Sequence, residues 1–467
     1  MGWKPPVDLW SASDKKSFAY ESTAKRWPRI ITQIIDDINS RFDECDAEKL
    51  AEGKQLINDI AALKYEIGHD RALEPLEQDG GANIELYNSE LESLKTEGKT
   101  TWFQMPWLFA ECYLYRRLRI LFAKTKCWTQ HDPFARSKLE TFASAAPGVY
   151  ALALSVNNMI LSNSAESEPE ETIKAAFLEL AQVALWGNAT DLSLLQGLSH
   201  ADIQALQKTG KAAQEAAEHL ILQNDLDKAW DCLKSLKGSR IDIVLDNAGF
   251  ELYGDILLAD WLLSTPFCSE VVFHPKDIPW FVSDVLPQDF DRTFDALADP
   301  KFFKKQEGDA IFDDDHQAAL AMCLSRWKTH LGTGRFKVSL PISSDLQQTT
   351  AEANGSPESY WTNPLSFAVI PEQSPELLSE LQKADLVIFK GDLNYRKLTS
   401  DARWDSAVPF EEVLGPLRGK INLLALRTLK ADVCVGLEAG TAERLDKEDP
   451  TWRVSGKYAV VAFAKKA

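Results

Sequence analysis

Between Ile241 and Leu263 the chain reads IDIVLDNAGFELYGDILLADWLL, and this stretch limits the possible folds more than any other. Ile241, Ile243, Val244 and Leu245 form a short, β-branched apolar run, the pattern of a strand buried on both faces of a parallel sheet. Asp246, Asn247 and Gly249 break the run. From Phe250 onward Phe250, Tyr253, Leu257 and Trp261 recur at helical spacing, with Glu251 and Asp255 one turn apart on another side. Two oxygen-bearing side chains thus stand where a buried strand ends and a helix begins. In open α/β sheets ligands bind at the carboxyl ends of strands, so the functional centre is expected here.

The texture on either side of this stretch differs. Up to about residue 235 apolar residues recur with helical period, giving candidate helices from Pro28 and near 47–65, 84–97, 107–124, 133–142, 146–162, 170–187 and 209–235. From about 236, short apolar runs at 241–246, 270–273, 336–340, 385–389, 421–426 and 458–463 alternate with helical segments, which argues a parallel α/β sheet. The expected organisation is an α-helical domain over 1–235 and a Rossmann-like α/β domain over 236–467. Polar stretches at 163–171 and 343–359 read as loops, and DDDH at 313–316 as a solvated acidic tip. The helical half also holds Trp102 to Leu118, WFQMPWLFAECYLYRRL, an aromatic helix carrying Glu111, Arg116 and Arg117. Its charges either pair within the core or face a ligand.

Charge narrows the function. Lys and Arg number 51 against 70 Asp and Glu, a net −19. Such a surface repels phosphate backbones and anionic lipid, which argues against nucleic-acid and membrane partners. Any anionic substrate must then meet a local group of cations or a metal. The seven cysteines are scattered without a C-x-x-C pair, and no apolar leader opens the chain. A reducing compartment, cytosol or nucleus, is the expectation.

Three further strand ends carry chemistry. FHPKDIPWFVSDV leaves its strand through Pro275 and Pro279 and returns with Asp284, KGDLNYRK follows VIF, and RTLK follows LLAL. If these ends are neighbours, one crevice holds Asp246, Asn247, Asp284 and Asp392 beside Arg396, Arg427 and Lys430. Oxygen ligands without Cys or His suit a hard or borderline divalent cation, and the cations suit phosphate. Together they are the equipment of phosphoryl transfer. Taken singly, Asp246, Asp284 and Asp392 could each be a helix N-cap, and Arg427 and Lys430 ordinary surface cations. No P-loop, G-x-G-x-x-G, G-x-S-x-G or H-E-x-x-H is present. Asp289-Phe290-Asp291-Arg292-Thr293 imitates a D-x-D-x-T nucleophile loop but follows Leu286-Pro287-Gln288 rather than a buried strand.

DNAGFELYGDILLADWLL, HPKDIPWFVSDV, FKGDLNYRKL, LRTLKADVCVGL and GKYAVVAFA together resemble the metal-dependent damage-control phosphatases, a family long labelled a domain of unknown function. Arg427 to Lys430 resembles the RTxK element of its eukaryotic stand-alone branch, also described as an acidic-residue methyltransferase family. The resemblance implies a helical N-terminal domain on a Rossmann-like αβα sandwich. It implies a divalent metal (Mn²⁺, Co²⁺, Ni²⁺ or Mg²⁺) on Asp246, Asn247 and Asp284, with substrate contacts from these residues, from Asp392, Leu393, Asn394, Tyr395 and Arg396, and from Lys430. Asp246, Asn247, Asp284 and Asp392 are the implied catalytic group. The implied substrates are small phosphometabolites such as fructose 1-phosphate and fructose 6-phosphate, with generic phosphomonoesters or pyrophosphate besides. The alternative attached to the branch is S-adenosylmethionine-dependent protein-glutamate O-methylation, with Glu251 and Asp284 on the cofactor. A different class, a non-catalytic scaffold, is the remaining alternative.

Overall fold

The computed structural model describes residues 2–163, 169–187, 218–303, 314–342 and 354–467. Seven strands form one sheet: β1 (Ile221–Asn224), β2 (Ser239–Val244), β3 (Cys268–His274), β4 (Phe336–Val338), β5 (Leu386–Lys390), β6 (Leu423–Thr428) and β7 (Ala459–Ala464). Their order is β1-β7-β6-β5-β2-β3-β4. All neighbours are parallel except β6 and β7, so β1 and β7 run against the rest. From β2 the chain moves outward to β3 and β4, then returns to place β5 on the other side of β2. The loops after β2 and β5 therefore diverge, and the cleft between them is the topological switch point where α/β sheets bind ligands.

Apolar side chains on both faces of the strands force a three-layer arrangement. Helices Ala146–Asn163, Glu170–Trp186, Phe250–Leu263, Gln288–Ala298 and Asp314–Gly332 cover one face. The short helical turns between residues 357 and 381, with 410–417 and 441–448, cover the other. The Phe250–Leu263 helix is buried all round, with Trp261, Tyr253 and Leu257 at 0% exposure, because helices Ala146–Asn163 and Glu170–Trp186 close over it. Each such side chain contributes about 1.5–3 kcal/mol by leaving water.

A second core belongs to the helical half, built around Trp27, Ile31, Leu63, Tyr87, Trp107 and Tyr113. Ile278, Trp280, Leu393 and Ala431, from the segments beyond β3, β5 and β6, join this core. The helical body therefore roofs the carboxyl ends of the sheet. The aromatic helix Trp107–Ala123 makes the main polar connection. Glu111 accepts from Trp27 Nε1 at 3.1 Å and pairs with Arg396 at 2.7 Å, while Asp401 holds the same guanidinium at 3.0 Å. Arg396 also lies over the Trp107 ring at 3.7 Å. Arg116 makes a bidentate pair with Asp79 instead.

All six expected strands are present, and the sheet starts earlier than the 236 boundary. In the 209–235 segment, where a helix was expected, the described part is the strand β1 and the helix Leu226–Leu233. Gln223 and Asn224 are too polar for β1 to show as an apolar run; β7 supplies its ladder. Residues 164–168 and 343–353, from the two expected polar loops, and Asp313 of the acidic tip lie outside the described residues.

Glu111→Ala should destabilise the protein by about 3–5 kcal/mol, because it leaves a buried guanidinium with one carboxylate in place of two. Chemical denaturation followed by tryptophan fluorescence measures it. A midpoint unchanged from that of the parent would show that Asp401 alone suffices.

Candidate active site

The site is assembled from four strand ends around the switch point. Asp246 and Asn247 follow β2, and neither caps the next helix: Gly249 occupies the N-cap with φ +78°. Asp284 likewise caps nothing, since Pro287 precedes helix Gln288–Ala298, and Asp392 lies inside the first turn of Gly391–Leu398. The capping explanation fails for all three carboxylates. Asp246 and Asp284 are brought together by a short bridge. Val285 N–H donates to Asp246 O at 2.8 Å, Ala248 N–H donates to Ser283 O at 2.8 Å, and Asn247 pairs with Asp284.

The loop that returns Asp284 is strained. Phe281 and Val282 are consecutive non-glycine residues in the left-handed region, at φ 44° and 72°. A β-branched residue there is an outlier that the surroundings must enforce. Asp284 N–H donates to Trp280 O, Ser283 Oγ donates to Asn247 Oδ1 at 2.5 Å, and the Phe281 ring stacks on Tyr115 at 4.9 Å.

Gly391 is the tightest point of the site. A Cβ there would lie 1.8 Å from Asp246 Oδ2, and its φ of +78° disfavours any side chain. Only glycine lets β5 turn into its helix while Asp246 keeps its place.

Carboxylates crowd the floor. Burial, then Glu251 and Asp284, pushes the Asp246 carboxyl well above its usual range, while Lys276 and Lys430 pull it back. Burial raises Asp284 to about 7 against Lys276 and Lys138. Asp255 likewise rises to about 7 through burial, opposed by Lys390. Lys390 is buried, which alone would lower it, yet Asp255 and Glu251 at 2.7 and 2.9 Å hold it above its ordinary value. Lys276 Nζ donates to Leu245 O at 2.7 Å and stands 3.5 Å from Asp284 Oδ2, at the outer limit of a hydrogen bond. That oxygen accepts no better one. Lys138 Nζ, from the helical half, donates to Asp284 O at 2.9 Å and to Asp289 Oδ2 at 2.9 Å. The imitation D-x-D-x-T segment is thereby accounted for: Asp289 sits in a helix and serves Lys138 and Arg292.

The donor set fits a hard divalent cation. Asp246 and Asp284 are oxygen donors whose charge the protein's own cations leave incompletely balanced, and Asp284 Oδ2 is buried without a hydrogen bond. Asn247 is turned otherwise than a ligand requires. Its Nδ2 donates to Asp246 Oδ2 at 2.7 Å and Glu251 Oε2 at 2.8 Å, and its oxygen faces Ser283. An exchange of the two amide atoms would bring the oxygen to the Asp246 side. Among the described residues, no group of three His, Cys, Asp or Glu side chains surrounds a common position.

The β5 and β6 ends behave differently from one another. Asp392 Oδ1 accepts from Arg427 Nε at 2.8 Å and from the Lys430 N–H at 3.1 Å. Arg427 is fully buried, spans Ala431 O and Val433 O, and lies over Tyr395 at 4.4 Å, so it is a brace for the loop and not a surface cation. Lys430 lies beyond the end of β6, and its charge reaches Asp246. Leu393, Asn394, Tyr395 and Arg396 are buried. Leu393 packs in the helical core, Asn394 Nδ2 donates to Val244 O, Leu245 O and Lys390 O, and Arg396 is taken by Glu111 and Asp401. Their side chains organise the loop from within, and Asp392 alone of the five retains partial exposure. Lys138, Lys276, Ser283 and Lys390 were not singled out from the sequence. HPKD and FKGD did place two of these lysines beside expected site residues.

The family model described as the damage-control phosphatase ARMT1-like domain matches residues 22–445. Damage-control phosphatase ARMT1 of Xenopus tropicalis is 36% identical over 478 residues, covering 98% of this chain and 99% of its own. The human protein of the same name is 33% identical over 475 residues, covering 98% of each. Among solved structures, a DUF89 family protein from Pyrococcus horikoshii aligns with a TM-score of 0.37 and 13% identity, over 82% of this chain and 90% of its own. With its fold, switch-point site and near-complete match in hand, the chain belongs to the damage-control phosphatase ARMT1-like family.

Proposed function

We propose that this chain hydrolyses phosphate monoesters of small metabolites, sugar phosphates such as fructose 1-phosphate and fructose 6-phosphate foremost, at the Asp246–Asp284–Lys430 cleft. The observation that carries this reading is the crowding of the floor: burial first, and then the neighbouring Glu251, raises both Asp246 and Asp284, and Lys276 and Lys390 stand against these carboxylates. Two of these carboxylates, Asp246 and Asp284, with the Asn247 amide suit a divalent cation, and the lysines beside them suit an anion.

A divalent cation held by Asp246, Asn247 and Asp284 supplies positive charge to a phosphate oxygen when it is bound. The protein's own residues do the rest. Lys430 offers an ammonium to the phosphoryl oxygens as their charge develops, at a distance from which it already acts on Asp246. Arg427 keeps Asp392 and the Lys430 backbone in register, so the two strand ends act as one wall. Lys390 pins Glu251, and Glu251 in turn fixes the Asn247 amide. The helical roof keeps water from the floor through Trp280 and Tyr115, which strengthens each of these charge interactions. Metal-dependent turnover of a phosphoester by the pure chain also separates this reading from a non-catalytic scaffold.

Asp246→Asn should abolish phosphatase activity while the metal-free protein stays at least as stable as its parent, because one member of a crowded carboxylate group is neutralised. Thermal unfolding with and without Mn²⁺ gives a second readout. The parent should gain stability with metal and the variant should not; a variant that still gains would remove Asp246 from the ligand set.

Gly391→Ala should lower kcat/KM by about 10²-fold or more, since a displaced Asp246 costs as much as a misplaced reacting group. Steady-state kinetics decides it, and near-parental rates would mean that the close approach is not needed.

Lys430→Met keeps the stem and removes the charge. It should lower kcat/KM by roughly 10²-fold, given what a charged contact to a developing phosphoryl charge contributes. Metal affinity measured calorimetrically without substrate should be unchanged. Lost metal binding with surviving turnover would assign Lys430 to the metal site's support instead.

A further inference from the structure

Two buried charges beside the cleft have no part in the chemistry described so far. Lys397 stands in the last turn of helix Gly391–Leu398, and Asp277 follows Lys276 in the loop after β3. Both are buried, and among the described residues neither has an oppositely charged side chain in salt-bridge contact. Burial accordingly lowers the Lys397 ammonium to about 7 and raises the Asp277 carboxyl. A buried charge without its opposite is costly unless hydrogen bonds replace the partner.

One turn of backbone supplies those bonds to both. Lys397 Nζ donates to the main-chain oxygens of Asn363, Trp361 and Tyr360 at 2.9, 3.3 and 3.4 Å. From the same turn, Thr362 Oγ1 donates to Asp277 Oδ1 at 2.6 Å. The carbonyls take the ammonium and the hydroxyl takes the carboxylate, so the arrangement is an ion pair with a turn inserted. The helical half steadies the turn, since Tyr87 Oη donates to Thr362 O at 2.7 Å and Asn83 Nδ2 to Ser359 O at 2.8 Å. Each end leads to one side of the site. The helix that ends with Lys397 is bound to the Asp246 side, because Asn394 Nδ2 donates to Val244 O and Leu245 O. Asp277 belongs to the Asp284 side: the Lys276 N–H donates to Val285 O at 2.8 Å, and the Lys276 ammonium stands 3.5 Å from Asp284 Oδ2.

We propose that Thr362 and Lys397 are positioning residues which, through the 360–363 turn, hold the Asp284 loop at a fixed distance from Asp246 and so set the width of the cleft. The proposal rests on the phosphatase reading above and deepens it, since neither residue touches the substrate. β5 and β3 flank β2 on opposite sides, so the segments that follow them diverge at the switch point. The turn ties these segments together where the sheet itself does not. Asp284 needs such a tie, because its loop holds two consecutive left-handed residues and its carboxylate lies in a crowded floor. The Thr362 hydroxyl is the narrowest link, a single bond between the turn and the loop.

Mn²⁺ binding to the metal-free, full-length protein is measured by calorimetry, and turnover of a hexose monophosphate by steady-state kinetics. Thr362→Val should weaken Mn²⁺ binding at least 10-fold and lower kcat at least 10-fold, with KM within 3-fold of the parent because Lys430 is untouched. Thr362→Ser keeps the hydroxyl and should stay within 3-fold on both measures. Lys397→Met should repeat the losses of Thr362→Val, and it carries the test if that variant does not fold. The double variant should fall no more than 3-fold below the poorer single one, since both residues act through one turn. Folded variants with parental Mn²⁺ binding and kcat overturn the proposal, as do a Thr362→Ser loss equal to that of Thr362→Val and losses that multiply in the double variant. Failure of both single variants to fold would make the turn's role structural and overturns it too. A parent that binds Mn²⁺ yet hydrolyses no phosphoester overturns the phosphatase reading, while the Mn²⁺ affinities still decide the positioning. A parent that binds no Mn²⁺ overturns both.

Discussion

Everything at the mouth of this sheet follows from putting Asp246 against Gly391. Adjacent parallel strands β2 and β5 bring their carboxyl ends side by side, and only a residue without Cβ lets one chain turn past the other's carboxylate. That approach buries Asp246, and burial makes its charge expensive. Once Asp246 is buried beside Glu251 and Asp284, cations must be supplied from every direction. Lys390 comes from β5, Lys276 from the loop after β3, Lys430 from beyond β6 and Lys138 from the helical half. The floor is thus a lattice of alternating carboxylates and lysines, each charge buried against its opposite.

The helical half is part of this arrangement and not an appendage. Its core includes Trp280, Leu393 and Ala431, so the segments that follow β3, β5 and β6 are packed against the helical half as well as the sheet. Its charged links are buried pairs: Arg396 with Glu111 and Asp401, and Lys138 with Asp289 and the Asp284 carbonyl. Buried pairs contribute little net stability against apolar packing, but breaking one strands a charge. Their value here is geometric. They fix the height of the roof above the cleft, which loop packing alone would leave adjustable.

Much of this was legible in the residues. The apolar runs located six of the seven strands, and Asp-Asn at the end of the central strand falls at the switch point, with neither residue capping the next helix. β1 was not legible: its polar ILQN carries no alternation, and β7 defines it as a strand. Arg396 and Arg427 read as cations facing a crevice, yet both are buried, one against Glu111 and Asp401, the other against Asp392 and two carbonyls. Sequence spacing gives the end of the strand on which a side chain stands but not whether a distant carboxylate has already claimed it. Glu111 and Arg396 are 285 positions apart, and only packing joins them.

The strain in the Trp280–Asp284 loop completes the argument about the site's rigidity. Two successive left-handed residues, one of them Val282, cost of order 1–3 kcal/mol each and persist only if surrounding contacts outweigh them. Those contacts are the site itself: Ser283 on Asn247, Val285 on Asp246, Phe281 on Tyr115. A relaxed loop would carry Asp284 away from Asp246 and relieve the repulsion between them. The strain and the repulsion therefore oppose the same set of hydrogen bonds, and the aromatic wall of the helical half holds both in check. β2 and the loop after β3 supply the two carboxylates at the switch point, and the helical half holds that loop through Tyr115 and Lys138.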